Sequence, residues 1–358
     1  MDLGGLQRIV SLLISNLDST RFTAHLCCLG RGGVFSDSLI NRGIDTQILT
    51  RRPGKFDRTM YRELVHFIRT REIDVIHSQN GCMLYAVAAG RLGGVKGIVH
   101  TDHGRLVPDR FGAKVEDRVC SYLVNDVIGV SAELTEYLRS EVKIPRRKLR
   151  TILNGVDTKK FQPTTAEGKN QARREFGLNT QARIIGTVCR LDHVKNIDLV
   201  IRSLPEIRAK WPDLQFVIVG DGPNEEDLRR TVRTLDLENV VHFAGMVGDV
   251  DKLLPALDVY VNASISEGTC MAILEAMSCG IPVVASNVGG NPKLVDEGCG
   301  KLFLSGDLSG LRDALLSVLD LENQRARMGE HAREKVCREF SLAAMVDTYQ
   351  DLYASYIR

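Results

Sequence analysis

The chain has 358 residues, of which 44% are hydrophobic and 26% charged, a composition typical of a globular protein of about two domains. No apolar run approaches the roughly 20 residues of a membrane-spanning helix, and the first residues do not resemble a secretory signal, so we predict a cytoplasmic protein. The nine cysteines, odd in number and without a C-x-x-C pair, favour free thiols over disulfides or a zinc site.

Charge is divided unevenly along the chain. Residues 1–160 carry 25 Lys and Arg against 17 Asp and Glu, a net +8, whereas residues 161–358 carry 22 against 28, a net −6. Two basic clusters contribute most: Arg51, Arg52, Lys55, Arg58 and Arg62, then Arg146, Arg147, Lys148 and Arg150. Such a surface suits an anionic partner such as the inner face of a membrane, and an ordinary solvated surface is the alternative.

The first predicted element is a helix that opens with Gly4-Gly5. Apolar residues recur at three- and four-residue spacing from Leu6 to Leu17, which indicates an amphipathic helix. A glycine turn that opens a helix can hold a phosphate, but such a turn normally follows a strand, and the sequence has none before it.

The rest of the chain alternates strands with helices. The candidate strands are FTAHLCCL, TQILT, DVIHSQ, GIVHTD, DVIGVS, LRTIL, RIIGTVC, LQFVIVG, VVHFAG, VYVNAS, IPVVAS and GKLFL. Most are short, apolar and β-branched, as expected of parallel strands buried on both faces. The order predicts two doubly wound, Rossmann-like α/β domains at 1–160 and 161–340, a turn-rich boundary at 155–181 and a last amphipathic helix over 341–358.

A strand end in the first domain carries two histidines, in GIVHTDHGR. His103 precedes a glycine and is predicted to lie in the turn, where it can face a ligand, whereas His100 is predicted to be packed. In the second domain Arg190 and Lys195 follow a strand. The planar guanidinium of Arg190 and the ammonium of Lys195 can both reach one diphosphate. Two ordinary solvated cations are the alternative.

Two strand–glycine turns follow. In VGDGP, Gly220 and Gly222 allow the backbone to pass close to a ligand, and Met246 ends a strand whose backbone can frame a nucleobase. Each is alternatively an ordinary tight turn. Asp249 and Asp251 have the spacing of a metal–diphosphate site, but we predict that Asp249 caps a helix, and we treat the glycosylation sequon Asn262-Ala263-Ser264 as chance.

The stretch SEGTCMAILEAMSCGIPVVAS is predicted to form a loop, a helix ended by Gly280 and a strand. Glu267 precedes the helix and Glu275 lies eight residues later, about 12 Å along it. Donors suited to a phosphate would be the amides of Gly268, Thr269, Cys270 and Met271. The carboxylates suit the two ends of a nucleoside-diphosphate sugar, Glu267 on the sugar and Glu275 on the ribose. Alternatively, they are a helix-start acid and a surface residue.

These stretches together resemble family 4 of the glycosyltransferases, retaining enzymes with the GT-B fold. The resemblance spans nearly the whole chain and rests on GGLQRIV, HTDHGR, NGVD, CRLDHVKN, VGDGP, FAGMV and EGTCMAILEAMSCGIPVVAS. It implies an N-terminal acceptor-binding domain and a C-terminal nucleotide-sugar-binding domain facing a cleft, with the last helix returning to the first domain. Bacterial enzymes of exopolysaccharide or cell-envelope assembly are the most similar subgroup.

The resemblance also implies a role for each site residue. Arg190 and Lys195 would bind the donor diphosphate, Glu267 the transferred sugar and Glu275 the ribose, with His103 beside the sugar. Further donor contacts would come from Gly4, Gly5, Gly220, Gly222, Met246, Gly268, Thr269, Cys270 and Met271. The donor would be a UDP- or GDP-linked sugar and the acceptor a glycan or a polyprenyl-linked glycan, without a metal, another cofactor or a nucleic acid.

One departure from the family concerns the strand before Gly4-Gly5. Since that strand is missing, we expect either that the recorded sequence starts about ten residues late or that the protein lacks the strand and exposes apolar sheet edges. Two other functions stay open: a sugar-nucleotide epimerase, which shares the architecture, and a catalytically inactive nucleotide-sugar-binding protein, which the missing strand suggests. The E-x7-E spacing of Glu267 and Glu275, together with the R-x4-K spacing of Arg190 and Lys195, argues against the epimerase.

Overall fold

The computed structural model describes residues 5–50, 57–104, 109 and 111–357, apart from the side chains of residues 322 and 323. The chain divides into two α/β units, one of residues 1–155 with 342–358 and one of residues 156–341. No helix in the described part of the chain is long and apolar enough to cross a membrane. The predicted fold class, two α/β domains with parallel sheets, is confirmed.

The first unit contains six described strands in two parallel sheets. The strands are β1 (His25–Leu29), β2 (Asp45–Leu49), β3 (Val75–Gln79), β4 (Gly97–Asp102), β5 (Asp126–Gly129) and β6 (Leu149–Thr151). Their helices are α1 (Gly5–Asn16), α2 (Val34–Asn41), α3 (Arg58–Thr70), α4 (Met83–Gly93), α5 (Phe111–Ser121) and α6 (Ala132–Ser140). Strand β1 pairs with β2 alone, and β3 to β6 form a separate four-stranded sheet in sequence order.

Strands β1 and β3 therefore each have one partner, although they contact the same hydrophobic cluster. Cys27 and Leu29 of β1 and Ile76 of β3 all pack against the residues that α3 and α4 bury. Among the described residues no strand precedes α1, so the first unit has two sheets where a doubly wound domain was expected to have one.

The second unit is a single doubly wound sheet. Its strands are β7 (Ile184–Val188), β8 (Gln215–Val219), β9 (Val241–Gly245), β10 (Val259–Asn262), β11 (Val283–Ser286) and β12 (Gly300–Phe303). Its helices are α7 (Ala166–Glu175), α8 (Ile197–Lys210), α9 (Glu225–Thr234), α10 (Val250–Leu253), α11 (Met271–Ser278), α12 (Asn291–Leu294), α13 (Leu308–Asp320) and α14 (Glu322–Glu339). All pairs are parallel, in the order β12-β11-β10-β7-β8-β9, so the direction of winding reverses between β10 and β7.

The predicted turn-rich boundary at 155–181 is partly wrong, because it contains helix α7. Thr165 caps this helix by accepting a hydrogen bond from the amide of Gly168. The sequence of α7 is strongly polar, which hid the helix, but Arg173 is buried there and pairs with Asp258. The division between the units falls at residues 155 and 156, five residues before the predicted domain limit.

The last helix, α15 (Leu342–Ser355), packs within the first unit. Its apolar stripe is buried at Leu342, Met345, Tyr349 and Leu352, as the amphipathic pattern predicts. Tyrosine hydroxyls add polar contacts to the sheet: Tyr353 to His77 Nδ1 at 2.6 Å, Tyr349 to Thr101 at 3.2 Å and Tyr356 to Asp126 at 2.5 Å.

Asp258, which directly precedes β10, connects three parts of the second unit. Its carboxylate accepts from Lys169 at 2.6 Å, from Arg173 at 2.8 Å and from the amide of Ile184, the first residue of β7, at 2.7 Å. Burial alone would raise the pKa of Asp258, but the two cations outweigh burial and lower it. The charged form is therefore the one that stabilises the fold.

We expect Asp258→Asn to lower the free energy of unfolding by about 3 kcal/mol at pH 7, because the buried Arg173 would keep its charge but lose the negative charge of Asp258. The folded-state pKa of Asp258 lies below the unfolded value, so its contribution is complete above about pH 4 and is lost as pH falls through the folded pKa. Urea unfolding at pH 7, 5 and 4 measures the difference between the two proteins.

The matched control is Asp227→Asn, which breaks an exposed pair with Arg230 and should change stability by less than about 0.5 kcal/mol. A loss for Asp258→Asn no larger than that of the control, or a difference that grows below pH 4, would contradict the assignment.

Candidate functional site

The candidate site lies where the winding of the second sheet reverses. Arg190 and Lys195 follow β7, Glu267 follows β10, and these two strands are neighbours. Ligands of open α/β sheets bind beyond the carboxyl ends of strands at such a reversal. The order of the strands therefore brings together two stretches that lie far apart in the sequence.

Lys195 and Glu267 form an ion pair at this point. Lys195 Nζ lies 2.6 Å from Glu267 Oε1, and the side chains are 23% and 9% exposed. Lys195 ends a short 3₁₀ turn, His193–Lys195, in which its amide donates to the side chain of Asp192. Burial alone would lower the pKa of Lys195, but the Glu267 carboxylate helps to outweigh burial and raise it, so Lys195 is a cation.

Two side chains that the sequence analysis missed also bind Glu267. Ser264 Oγ donates to Glu267 Oε1 at 2.7 Å, and Asn262 Nδ2 donates to the same oxygen at 3.1 Å. Both belong to the sequon that was treated as chance. The available signal was two polar residues at the end of the apolar strand VYVNAS, directly before the loop of Glu267.

Arg190 does not join this pair. Its Nε and Nη2 both donate to Asp192 Oδ2, at 2.9 and 2.6 Å, and the side chain is 68% exposed. Asp192 therefore connects the loop in two ways, through the amide of Lys195 and through the guanidinium of Arg190. An exposed guanidinium can leave such a contact to bind an anion, so the predicted diphosphate role of Arg190 stays a prediction.

Gly220 and Gly222 lie against the loop that carries Arg190, and their predicted approach to a ligand stays a prediction. A Cβ on Gly220 would overlap the carbonyl oxygen of Cys189, and one on Gly222 would overlap that of Leu191. The close approach is therefore to the loop that carries Arg190, and these glycines determine how near that loop can lie. Met246, just beyond β9, is half exposed, and the predicted contact of its backbone with a nucleobase stays a prediction.

Helix α11 starts later than the sequence suggests. Its first residue is Met271 and its N-cap is Cys270, so Gly268 and Thr269 lie in the turn before the helix. The carbonyl of Gly268 accepts from the amide of Gly290 at 3.0 Å. The glycine turn after β11 therefore supports the loop of Glu267, a contact that the sequence did not predict.

Glu275 is not a surface residue. It lies on the buried side of α11 and is 1% exposed, which removes the alternative that it is solvated. Its predicted ribose role stays a prediction. A buried carboxylate in the middle of an apolar helix requires polar or charged partners.

In the first unit, the turn after β4 holds His103. Its Nε2 lies 2.8 Å from Gln79 Oε1, and its amide donates to Asn80 Oδ1 at 2.7 Å. Burial lowers the pKa of His103 to about 4, so the ring is neutral near pH 7. His100 is buried and lies 2.8 Å from the hydroxyl of Ser78, which agrees with a packing role.

The remaining predicted positions are less informative. Gly4 lies outside the described residues, and Gly5 is the first residue of α1. Asp249 stands at the N-cap of α10 but does not cap it, since its side chain pairs with Lys252 at 2.7 Å; Asp251 pairs with Lys160 at 3.1 Å. Within the described part of the chain, no three or more His, Cys, Asp or Glu residues are grouped so as to hold a metal ion.

Two family models match the chain. The model for Glycosyltransferase Family 4 matches residues 3–160, and the model for Glycosyl transferases group 1 matches residues 168–335. The two matches are consecutive and together cover most of the sequence.

Three curated relatives illustrate the similarity. A UDP-Gal:alpha-D-GlcNAc-diphosphoundecaprenol alpha-1,3-galactosyltransferase of Escherichia coli is 28% identical over 99% of this chain and 95% of its own length. The N-acetyl-alpha-D-glucosaminyl L-malate synthase of Bacillus anthracis is 28% identical, with 70% of this chain and 62% of its own length covered. A GDP-mannose-dependent phosphatidylinositol monomannoside mannosyltransferase of Corynebacterium glutamicum is 32% identical, with 56% and 55% covered. This chain therefore spans less than two thirds of the last two relatives.

Two solved structures have the same fold. HepE of Anabaena, crystallised with UDP and glucose, superposes with a TM-score of 0.84 at 23% identity, covering 98% of this chain and 96% of HepE. A glycosyltransferase of Rickettsia africae superposes with a TM-score of 0.86 at 17% identity, covering 100% and 97%.

The glycine turn beside Glu267 allows a direct test of the site's geometry. A Cβ on Gly289 would overlap the carbonyl oxygen of Glu267, whereas one on Gly306 would meet no atom within 4 Å; both glycines have positive φ, +49° and +82°. We expect Gly306→Ala to lower the unfolding free energy by about 1 kcal/mol, the cost of the backbone conformation.

Gly289→Ala should lower the unfolding free energy by clearly more than Gly306→Ala, because the new Cβ also overlaps the carbonyl oxygen of Glu267. Urea unfolding of both variants gives the comparison. Equal losses would show that the Glu267 loop can move freely, and that the glycine turn does not determine its position.

Proposed function

The chain belongs to the family 4 glycosyltransferases, and on that premise we propose that it is a retaining, metal-independent enzyme. It transfers a sugar from a UDP- or GDP-linked donor to a glycan or lipid-linked acceptor in polysaccharide or cell-envelope biosynthesis. The observation that carries the proposal is the Lys195–Glu267 ion pair at the reversal of the second sheet. The pair places a cation, which can bind the diphosphate of the donor, beside a carboxylate, which can bind its sugar.

In this proposal the two members of the pair contact different parts of the donor. When the bond between the anomeric carbon and the diphosphate oxygen breaks, negative charge develops on the leaving diphosphate. Lys195 is cationic and partly buried, so it stabilises that charge more strongly than an exposed lysine would. Arg190 adds a second cation from the same loop. Glu267 accepts a hydrogen bond from a hydroxyl of the sugar. The acceptor oxygen bonds to the anomeric carbon on the face that the diphosphate leaves, and the proton of the acceptor hydroxyl passes to the leaving diphosphate.

In the first unit, we propose that His103 acts as a neutral hydrogen-bonding group for a ligand. Gln79 Oε1 is an acceptor, so the contact at 2.8 Å assigns the proton to Nε2 and leaves the Nδ1 lone pair for a donor. The low pKa keeps this arrangement throughout the physiological range.

The relatives support the choice of donor and acceptor. The E. coli relative is named for UDP-galactose and a diphosphoundecaprenol-linked acceptor, and HepE was crystallised with UDP and glucose. Both names favour a UDP-linked donor, and the first favours a lipid-linked acceptor for this chain. Nothing in the comparisons supports the epimerase alternative.

The test is incubation with UDP- and GDP-linked sugars and a polyprenyl-diphosphate-linked acceptor, with NMR analysis of the product's anomeric configuration. We expect transfer with the donor's configuration retained, at a rate unchanged by EDTA. An inverted product would refute retention, and loss of activity in EDTA that Mg²⁺ restores would refute metal independence. Epimerised donor would instead support the epimerase, and binding without turnover the inactive binding protein.

Lys195→Ala and Arg190→Ala should each lower kcat/KM on the order of 10²-fold, the usual effect of losing one group that stabilises transition-state charge. Lys210→Ala is the matched control, because Lys210 is in the same unit and pairs with Asp320 at the surface. Steady-state kinetics on the preferred donor measures all three. Activity of Lys195→Ala equal to that of the control would remove the diphosphate assignment.

We also propose that the first unit docks peripherally on the inner face of the membrane. The outer face of α5 is apolar: Phe111 is 82% exposed and Val119 58%, and Val115 and Tyr122 lie on the same stripe. Arg118 lies along one edge of the stripe with Lys114, which pairs with Glu141 at 3.2 Å, and the exposed Glu116 lies along the other edge. An exposed apolar stripe with a basic edge suits a helix that lies in the headgroup region of an anionic bilayer.

The two basic clusters contribute less than their number suggests. Arg51, Arg52 and Lys55 lie outside the described residues, and Arg58 and Arg62 are on α3. In the second cluster Arg146 and Arg147 are exposed, but Lys148 donates to the carbonyl of Val124 and Arg150 pairs with Asp126. Each cation that reaches an anionic surface contributes about 1 kcal/mol, so insertion of the α5 stripe would supply much of the affinity.

We expect co-sedimentation with phosphatidylserine-containing vesicles at low salt, weakened by salt, and little with phosphatidylcholine alone. The double variant Phe111→Asp, Val119→Asp should no longer co-sediment with these vesicles. Leu304 is an exposed apolar residue of the second unit, and Leu304→Asp should co-sediment as wild type does. Equal binding of the α5 variant and wild type would exclude this face. Concentration-dependent dimerisation that the α5 variant loses would assign it to a second copy instead.

A further inference from the structure

The carboxylate of Glu267 uses its two oxygens differently. Oε1 accepts from Lys195, Ser264 and Asn262, at 2.6, 2.7 and 3.1 Å. Oε2 has no hydrogen-bond partner among the described residues and is not fully buried, although the whole side chain is only 9% exposed. The protein thus saturates one oxygen and leaves the other for a ligand.

The position of Oε1 depends on a chain of two side-chain amides. Asn262 donates from Nδ2 to Glu267 and accepts at Oδ1 from Asn291 Nδ2, at 3.1 Å. Asn291 also donates to the carbonyl of Ser286, at 3.0 Å. Both asparagines are at least 95% buried. The amide chain therefore runs from the end of β11, through α12 and the end of β10, to Glu267.

This chain determines which way the amide of Asn262 points. If that amide were flipped, its oxygen would face the Glu267 carboxylate and its nitrogen would face the nitrogen of Asn291, so both contacts would become repulsive. Asn291, together with the Ser264 amide that donates to the same oxygen at 3.4 Å, therefore selects the orientation in which Asn262 supports the carboxylate. Burial strengthens the selection, since competing water is absent and the local dielectric is low.

We propose that Asn262 and Asn291 are positioning residues that hold Oε1 of Glu267 so that Oε2 receives a hydroxyl of the transferred sugar. Within the described part of the chain Asn291 makes no hydrogen bond to Glu267 or Lys195, so it acts on Glu267 through Asn262. The proposal rests on the proposed function for the identity of the ligand, but the amide chain itself can be tested without any ligand.

The first experiment measures thermal unfolding of Asn291→Ala, Glu267→Gln and the double variant without ligand. Coupled residues give non-additive effects, so we expect the fall in Tm of the double variant to be smaller than the sum of the single falls. The control cycle combines Glu267→Gln with Asn179→Asp, since Asn179 is an exposed asparagine of the same unit. The falls in Tm in this cycle should be additive. Additive effects in the Asn291 cycle would overturn the proposal.

The second experiment compares UDP with UDP-galactose and UDP-glucose in calorimetric binding and transfer assays. Asn291→Ala should bind UDP within about twofold of wild type but lose about tenfold in kcat/KM, because Asn262 would no longer be held and its hydrogen bond to the charged Glu267 would weaken. Asn262→Ala should lose more, and both should discriminate less between the two sugars. Equal losses for UDP and for the sugar nucleotides would indicate a general structural defect and overturn the positioning role.

If Asn291→Ala does not fold, Asn262→Ser takes its place in both experiments, because it keeps a short donor and adds no charge. If wild type neither binds nor transfers from any UDP- or GDP-linked sugar, the proposed function fails, and the unfolding cycle still decides whether the amide chain holds Glu267.

Discussion

The pairing of β7 with β10 is the contact on which the second unit and its candidate site both depend. Asp258, before β10, binds the first amide of β7, and Glu267, beyond β10, pairs with Lys195, beyond β7. The two strands are thus joined by a charged group at each end. Since the winding reverses between them, no crossover helix covers the space beyond their carboxyl ends, and polar side chains meet there.

The two ion pairs bury charge in different ways. Asp258 is satisfied by two cations and a backbone amide, so it contributes to stability while it is charged. Lys195 and Glu267 are also paired, but one carboxylate oxygen has no hydrogen-bond partner among the described residues. A partly buried carboxylate oxygen without a hydrogen-bond partner is costly in the free protein, and a ligand that donates a hydrogen bond to it removes that cost. This difference distinguishes the Asp258 group, which stabilises the fold, from the proposed donor-binding pair in the same sheet.

The first unit is organised around a buried polar layer between its sheet and α15. His77 contacts the hydroxyls of Tyr353 and Thr101, and burial lowers its pKa to about 3. A neutral histidine between two hydroxyls can donate at one nitrogen and accept at the other, so all three groups are satisfied without charge. This layer joins the C-terminal helix to β3 and β4, directly before the turn that holds His103.

The sequence alone determined the elements of the fold and the residue types of the site. All twelve candidate strands form, because buried parallel strands need continuous apolar runs, and the helix of Glu275 was recognisable from its motif. The sequence pattern did not reveal α7, because this helix is strongly polar and is anchored by one buried arginine. The pattern also suggested a start for α11 that is too early. Tertiary structure alone decided that Lys195 pairs with Glu267, 72 residues away, that Arg190 turns to Asp192, and that Asn291 reaches Asn262. These contacts depend on which strands are neighbours, and strand order is set by the packing of the whole sheet, which local periodicity does not encode.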